Sequence, residues 1–174
     1  MLATKKQKAL TVAFTGHRLL KNTKLAWLQS KLDETIQSLI EKGMYHFMSG
    51  AATGYDSIAA NAVLKAREYN ANVRLILAIP CTDQDSRWRE SDKQVYRNLL
   101  DNADEIIYVS GQPYFDGCME QRNRYLVEHS SILVAYLTHN RSGTSQTVRL
   151  ARENGLTIIN LAESQEGGEK NGEV

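Results

Sequence analysis

With 174 residues, 42% of them apolar and 24% charged, the chain has the composition of a soluble globular protein of about one domain. It is long enough to bury a core without disulfide staples, and its formal net charge of +1 offers no bulk attraction to nucleic acid or anionic membranes. No run approaches the roughly 18 apolar residues of a membrane span, and the basic N-terminus lacks the apolar segment of a signal peptide, so a cytoplasmic protein with no membrane partner is expected.

Residues 1–9 are polar and are expected to be loose. Residues 10–15 (LTVAFT) read as a buried strand. Residues 24–42 read as a helix, with Leu25, Leu28, Leu32, Ile36, Leu39 and Ile40 at helical spacing and Gly43 just past the end. Residues 44–48 form a second strand, 49–56 (SGAATGYD) a turn of small residues, and 56–70 a second helix. A third strand, 73–79, stops at Pro80 and leads through a polar loop to a helix over 90–101. Residues 105–109 are a fourth strand, and 116–129 a helix for which Asp116 is the expected N-cap. A fifth strand over 131–137, a helix over 144–154 stopped by Gly155 and a sixth strand over 156–160 follow, and 163–174 read as a disordered tail.

Strands alternate with helices, and most strands are short continuous apolar runs. That pattern predicts a Rossmann-like three-layer α/β sandwich over residues 10–162, with a mostly parallel sheet of about six strands in an order near 3-2-1-4-5-6. In such sheets ligands sit outside the carboxyl ends of the strands. The loops at that edge carry Gly16, His17 and Arg18 after strand one, and Ser49, Gly50, Thr53, Gly54 and Asp56 after strand two. Trp88 follows strand three, Tyr114 and Arg122 follow strand four, and Ser142, Gly143 and Thr144 follow strand five. The opposite edge shows ordinary turns such as Lys42-Gly43 and Asn154-Gly155.

Two of these loops open helices with Gly, Ser and Thr. Small residues let backbone N–H groups approach a ligand, and a helix N-terminus carries partial positive charge, so such loops suit anions. The same residues serve equally as plain capping. Arg18 could bind an anion bidentately or pair with a carboxylate such as Asp56. His17 could donate a hydrogen bond or act as a general acid or base. Trp88 and Tyr114 could stack a base or simply pack. The other histidines show no ligand spacing with His17, and Cys81 and Cys118 make neither a disulfide framework nor a zinc pattern. No metal and no cofactor are expected.

Five short segments, taken in order, resemble the SLOG superfamily, which groups the DNA-processing protein DprA/Smf with the LOG phosphoribohydrolases. They are Thr15-Gly-His-Arg18, Ser49–Asp56 with Ala59-Ala60, Pro80…Gln84…Trp88, Arg122-Asn-Arg-Tyr125 and Ser142-Gly-Thr144. Within the superfamily the chain is similar to the YpsA-like branch of bacterial and phage proteins. The resemblance, spanning about residues 10–161, implies a pocket where the glycine loops meet. It also implies ligands such as nucleoside monophosphates, as in the LOG branch, or single-stranded DNA, as in the DprA branch. The 49–56 loop is similar to the DprA loop that contacts DNA phosphate, and Arg122 takes the place of a catalytic LOG arginine. The LOG stretch P-G-G-x-G-T-x-x-E is not matched: residues 137–147 are longer, and Thr147 stands where its glutamate would be. Hydrolysis of a glycosidic bond usually needs carboxylates, so it would fall to Asp56 or Asp116. The expectation is therefore binding or sensing of a phosphate-bearing nucleotide or nucleotide-derived small molecule. The alternatives are a hydrolase on a nucleotide N-glycosidic bond and a single-stranded DNA-binding module. A homodimer is left open.

Overall fold

The computed structural model describes residues 4–163. Six strands alternate with helices: β1 Thr11–Gly16, β2 His46–Ser49, β3 Arg74–Ile79, β4 Glu105–Tyr108, β5 Ile132–Tyr136 and β6 Thr157–Asn160. The helices are α1 Lys5–Ala9, α2 Leu25–Glu41, α3 Tyr55–Tyr69, α4 Glu90–Asn102, α5 Cys118–Glu128 and α6 Gly143–Glu153. Residues 5–9, expected to be loose, form the short helix α1: Thr4 caps it by accepting the Gln7 amide, and it buries no residue. Residues 1–3 of that first segment, and residues 164–174 of the expected tail, lie outside the described residues.

All strand pairs are parallel, and the sheet order is β4-β3-β2-β1-β5-β6. The class is as expected, but the order near 3-2-1-4-5-6 is corrected in one respect. β4 adds to the free edge of β3, and β5, not β4, crosses the sheet to pair with β1. The physical reason lies in the strands themselves. β4 is short, with an exposed residue at each end and only half-buried isoleucines between, a pattern suited to an edge. β5 is a continuous apolar run buried on both faces, as a central strand must be.

Alternate strand residues enter two cores, as the two-residue side-chain period requires. Val12, Phe14, Leu75, Leu77, Val134 and Tyr136 pack under α2, α3 and α4. Ala13, Ile76, Ala78, Leu133 and Ala135 pack under α5 and α6. The helix α2 shows how sequence spacing becomes packing: Leu28, Leu32, Ile36, Leu39 and Ile40 are buried along one face. Each such side chain contributes about 1.5–3 kcal/mol when fully buried. Because β1 feeds α2 on one face and β5 feeds α6 on the other, the chain parts between the carboxyl ends of β1 and β5.

Candidate functional site at the parting of β1 and β5

A cavity of about 250 Å³ lies at that switch point, the place where open α/β sheets hold ligands. Gly16, His17 and Arg18 reach it from the end of β1, and Asp56 from the first turn of α3. Arg122 comes from α5, and Ser142, Gly143 and Thr144 open α6 beside it.

The start of α6 is built to leave donors open. Ser142 Oγ accepts the Ser145 amide at 3.1 Å while Ser145 Oγ accepts the Ser142 amide at 3.0 Å, a reciprocal cap. The amides of Gly143 and Thr144 have no partner among the described residues. They face the fate of every first-turn N–H group: satisfied from outside the helix or not at all.

Arg18 and Arg122 differ sharply. Arg18 is exposed, its single hydrogen bond running from Nη2 to Met119 Sδ at 3.6 Å, and it makes no ion pair among the described residues. Arg122 is only 5% exposed. Its Nη1 donates to the Gly50 carbonyl at 3.0 Å and the Ala78 carbonyl at 3.5 Å, and its Nε to Asn123 Oδ1 at 3.0 Å. Burial pulls its pKa down, against the opposing pull of Asp56. Asp56 is buried in turn. Burial raises its carboxyl pKa above the ordinary 3.8, and the positive charges of Arg122 and Arg18 and the Ala52 amide hold part of that rise back.

Several polar groups of the 49–56 loop are occupied within the fold. Ser49 Oγ donates to the Asp56 carbonyl at 2.9 Å and accepts the Ala51 amide at 3.1 Å. The Tyr55 amide donates to the His17 carbonyl at 3.2 Å. Ala51, without glycine's freedom, sits at φ 53, a left-handed conformation that costs a non-glycine residue energy. Two glycines are steric necessities. A Cβ on Gly50 would fall on the Arg122 guanidinium, and one on Gly54, at φ 78, would fall on the Arg18 carbonyl.

His17 is 8% exposed. Its Nε2 accepts the Thr138 amide at 3.1 Å, and its ring stacks on His139 with centroids 4.1 Å apart and planes 11° from parallel. Burial, then His139, lowers its pKa below 6.5.

A second cavity of about 390 Å³ adjoins the first, sharing Arg18 and Met119 and walled by Trp88 and Tyr114. Its walls are tied together: the Tyr114 amide donates to Asp83 Oδ1 at 2.7 Å, and the Thr82 amide to the Gln112 carbonyl at 2.9 Å. Trp88 packs edge-on against Tyr96 at 5.2 Å, whereas Tyr114 is 59% exposed.

Of the residues singled out from sequence, Gly16, His17, Arg18, Asp56, Arg122, Ser142, Gly143 and Thr144 line the first cavity, and Trp88 and Tyr114 the second. Ser49, Gly50, Thr53 and Gly54 line neither. Asp116 is not the cap of α5: Gly117, at φ 95, holds that position with no side-chain hydrogen bond. Sequence reasoning passed over Met119, which spacing could have found, since it lies one helical turn before Arg122. It also passed over His139 as the stacking partner of His17, for which the sequence carries no signal.

The YspA SLOG family profile matches residues 13–155. The chain is 32% identical over 149 residues to the uncharacterized SPbeta prophage-derived protein YoqJ of Bacillus subtilis, covering 79% of this chain and 87% of that one. Two solved structures share the fold, both at TM-score 0.63. DprA of Streptococcus pneumoniae is 21% identical, covering 87% of this chain and half of its own. DprA of Helicobacter pylori, solved for its single-stranded DNA binding mode, is 22% identical, covering 95% of this chain and 76% of its own. The match to the family profile runs through both walls of the cavity, and the chain belongs to the YspA SLOG family.

Proposed function

We propose that this protein binds a phosphate-bearing nucleotide or nucleotide-derived ligand at the carboxyl edge of its sheet. The phosphate occupies the first cavity and the base lies against Trp88 and Tyr114 in the second. The observation that carries this reading is the convergence of unoccupied donors on one cavity. The Gly143 and Thr144 amides and the exposed guanidinium of Arg18, bonded only to Met119 Sδ, meet where Arg122 adds buried positive charge. The two cavities together fall within the roughly 300–1,000 Å³ of small-molecule sites.

Hydrolysis of a glycosidic bond is the weaker reading. Thr147, in the place of the LOG glutamate, is buried and donates to the Gly143 carbonyl at 3.0 Å. Asp116 does not line the cavity, which leaves Asp56 as its one carboxylate among the described residues, where glycosidases usually use two. Single-stranded DNA is supported by the shared fold of the DprA structures.

A thermal-shift screen of nucleoside monophosphates, dinucleotides, ADP-ribose and short single-stranded DNA tests the proposal. A stabilising nucleotide whose effect disappears in Arg18→Ala supports it. Stabilisation by DNA alone, with a steep salt dependence, would replace it with the nucleic-acid reading. Release of free base from a monophosphate would replace it with the hydrolase.

A further inference from the structure

We infer that His17 is a neutral hydrogen-bond donor to the bound ligand, offering Nδ1–H to a phosphoryl oxygen, and that it transfers no proton. The inference rests on the reading of the first cavity as an anion site.

The tautomer follows from one contact. A backbone amide can only donate, so the Thr138 N–H at 3.1 Å requires a lone pair on His17 Nε2. In a neutral imidazole the proton then sits on Nδ1. The surroundings favour that neutral form. The residue is only 8% exposed, its ring stacks flat on a second imidazole, and the next side chain is the cationic Arg18. Asp56, the carboxylate across the same cavity, is itself matched to Arg122.

Nδ1–H has no partner among the described residues. Nor is it sealed from solvent as the buried, unpartnered His46 Nδ1 and Gln84 Oε1 are. It is therefore a donor that solvent can reach, on a residue that lines the cavity. Its natural partner is an acceptor without a proton of its own. That is also what the open amides of Gly143 and Thr144 select, and phosphoryl oxygens meet the requirement.

The same contact blocks acid–base chemistry. To take up a proton as a base, the ring would have to place N–H on Nε2, facing the Thr138 N–H donor. The imidazolium meets the same donor–donor conflict and the adjacent His139 ring. A catalytic role would need residues 137–139 to move away first, so His17 fits recognition and not proton transfer.

Two measurements test this. In protein labelled with 15N-histidine, long-range 15N–1H correlation at pH 7 should show His17 with Nδ1 protonated and Nε2 bare, the resonance being identified by its loss in His17→Asn. A protonated Nε2 would overturn the assignment. Titration calorimetry with inorganic phosphate and AMP then compares three variants. The asparagine amide nitrogen can take the place of Nδ1, whereas that of glutamine takes the place of Nε2. His17→Asn should bind within about threefold of the parent, and His17→Gln and His17→Ala should lose about tenfold, the range of a hydrogen bond to a charged partner. If the parent binds and all three variants bind equally well, His17 is not a ligand donor and the anion site survives without it. Equal losses in His17→Asn and His17→Ala, with unchanged melting temperatures, would also overturn the inference. If the parent binds neither probe, the anion site fails first and the inference falls with it.

Discussion

Two loops of this protein look alike in sequence and differ in what they leave available. Both follow a parallel strand, both open a helix with Gly, Ser and Thr, and both suit an anion by the rules of helix termini. In the loop before α3, Ser49, Ala51 and Tyr55 satisfy one another or the neighbouring β1 loop, and Gly50 gives its carbonyl to Arg122 and to Gln84 Nε2 at 3.3 Å. In the loop before α6, a reciprocal serine cap takes care of itself and leaves the Gly143 and Thr144 amides open beside the cavity. Composition alone says that a loop can bind an anion. Whether it does depends on which of its donors the fold has already used. The first loop is the frame of the site and the second is its mouth.

The sharpest way to break that division is at Arg122, which belongs to the frame. Removing it leaves Asp56 buried without the stronger of its two neighbouring positive charges and takes from the Gly50 carbonyl one of its two donors. The buried guanidinium also loses its hydrogen bonds to Gly50, Ala78 and Asn123; hydrogen bonds to charged groups are worth about 1.5–3 kcal/mol each, so Arg122→Ala should lower the melting temperature by on the order of 10 °C. An unchanged melting temperature with lost ligand binding would instead move Arg122 from the frame to the ligand.

Arg18 marks the opposite behaviour. Exposed and free of ion pairs among the described residues, it should tolerate Arg18→Ala with a stability change within about 1 kcal/mol. Affinity for a nucleotide found in the screen should fall roughly tenfold to a hundredfold, as for a charge-assisted hydrogen bond. Calorimetry on a variant whose melting curve matches the parent decides it, and undiminished affinity would remove Arg18 from the site.

The mouth itself can be tested by removing one amide proton. Gly143 is the first residue of α6, where proline is well tolerated, and Ser142 before it is extended at φ −136 and ψ 166, as a residue preceding proline should be. Gly143→Pro should keep the helix, with stability changed by less than about 1 kcal/mol, and should weaken nucleotide binding by about tenfold. Full binding by a folded variant would show that this amide is not a ligand donor.

The smallest effect is a titration. Asp56 has a folded pKa above 3.8 because burial outweighs the nearby positive charges. It therefore contributes stability that is fully present below the unfolded value and is lost as pH rises through the folded one. In Asp56→Asn that loss is absent. The difference in unfolding free energy between variant and parent should shift in favour of the variant as pH rises across that window. Denaturant titrations at several pH values check it, and a shift of the opposite sign would mean that Arg122 holds the carboxylate ionised in the fold.

Much of this protein is determined by the sequence alone. The alternation of apolar runs with helical stripes specifies a parallel α/β sandwich, because burial on two faces leaves each strand no polar side to show. The helix from Leu25 was expected over 24–42 and is found over Leu25–Glu41, since five buried side chains along one face fix it. The concentration of polar loops at one edge also located the cavity, as right-handed crossovers bring every strand end to that side. Tertiary structure decided the rest. The place of β4 at the edge depended on which strand the sheet could leave half exposed, a competition among strands and not a property of one. The burial of Arg122, the bond from the Tyr55 amide to the His17 carbonyl and the stacking of His17 on His139 all join residues far apart in the chain. No local spacing records such contacts, because a hydrogen bond is assigned by three-dimensional proximity and each donor can be satisfied from several directions.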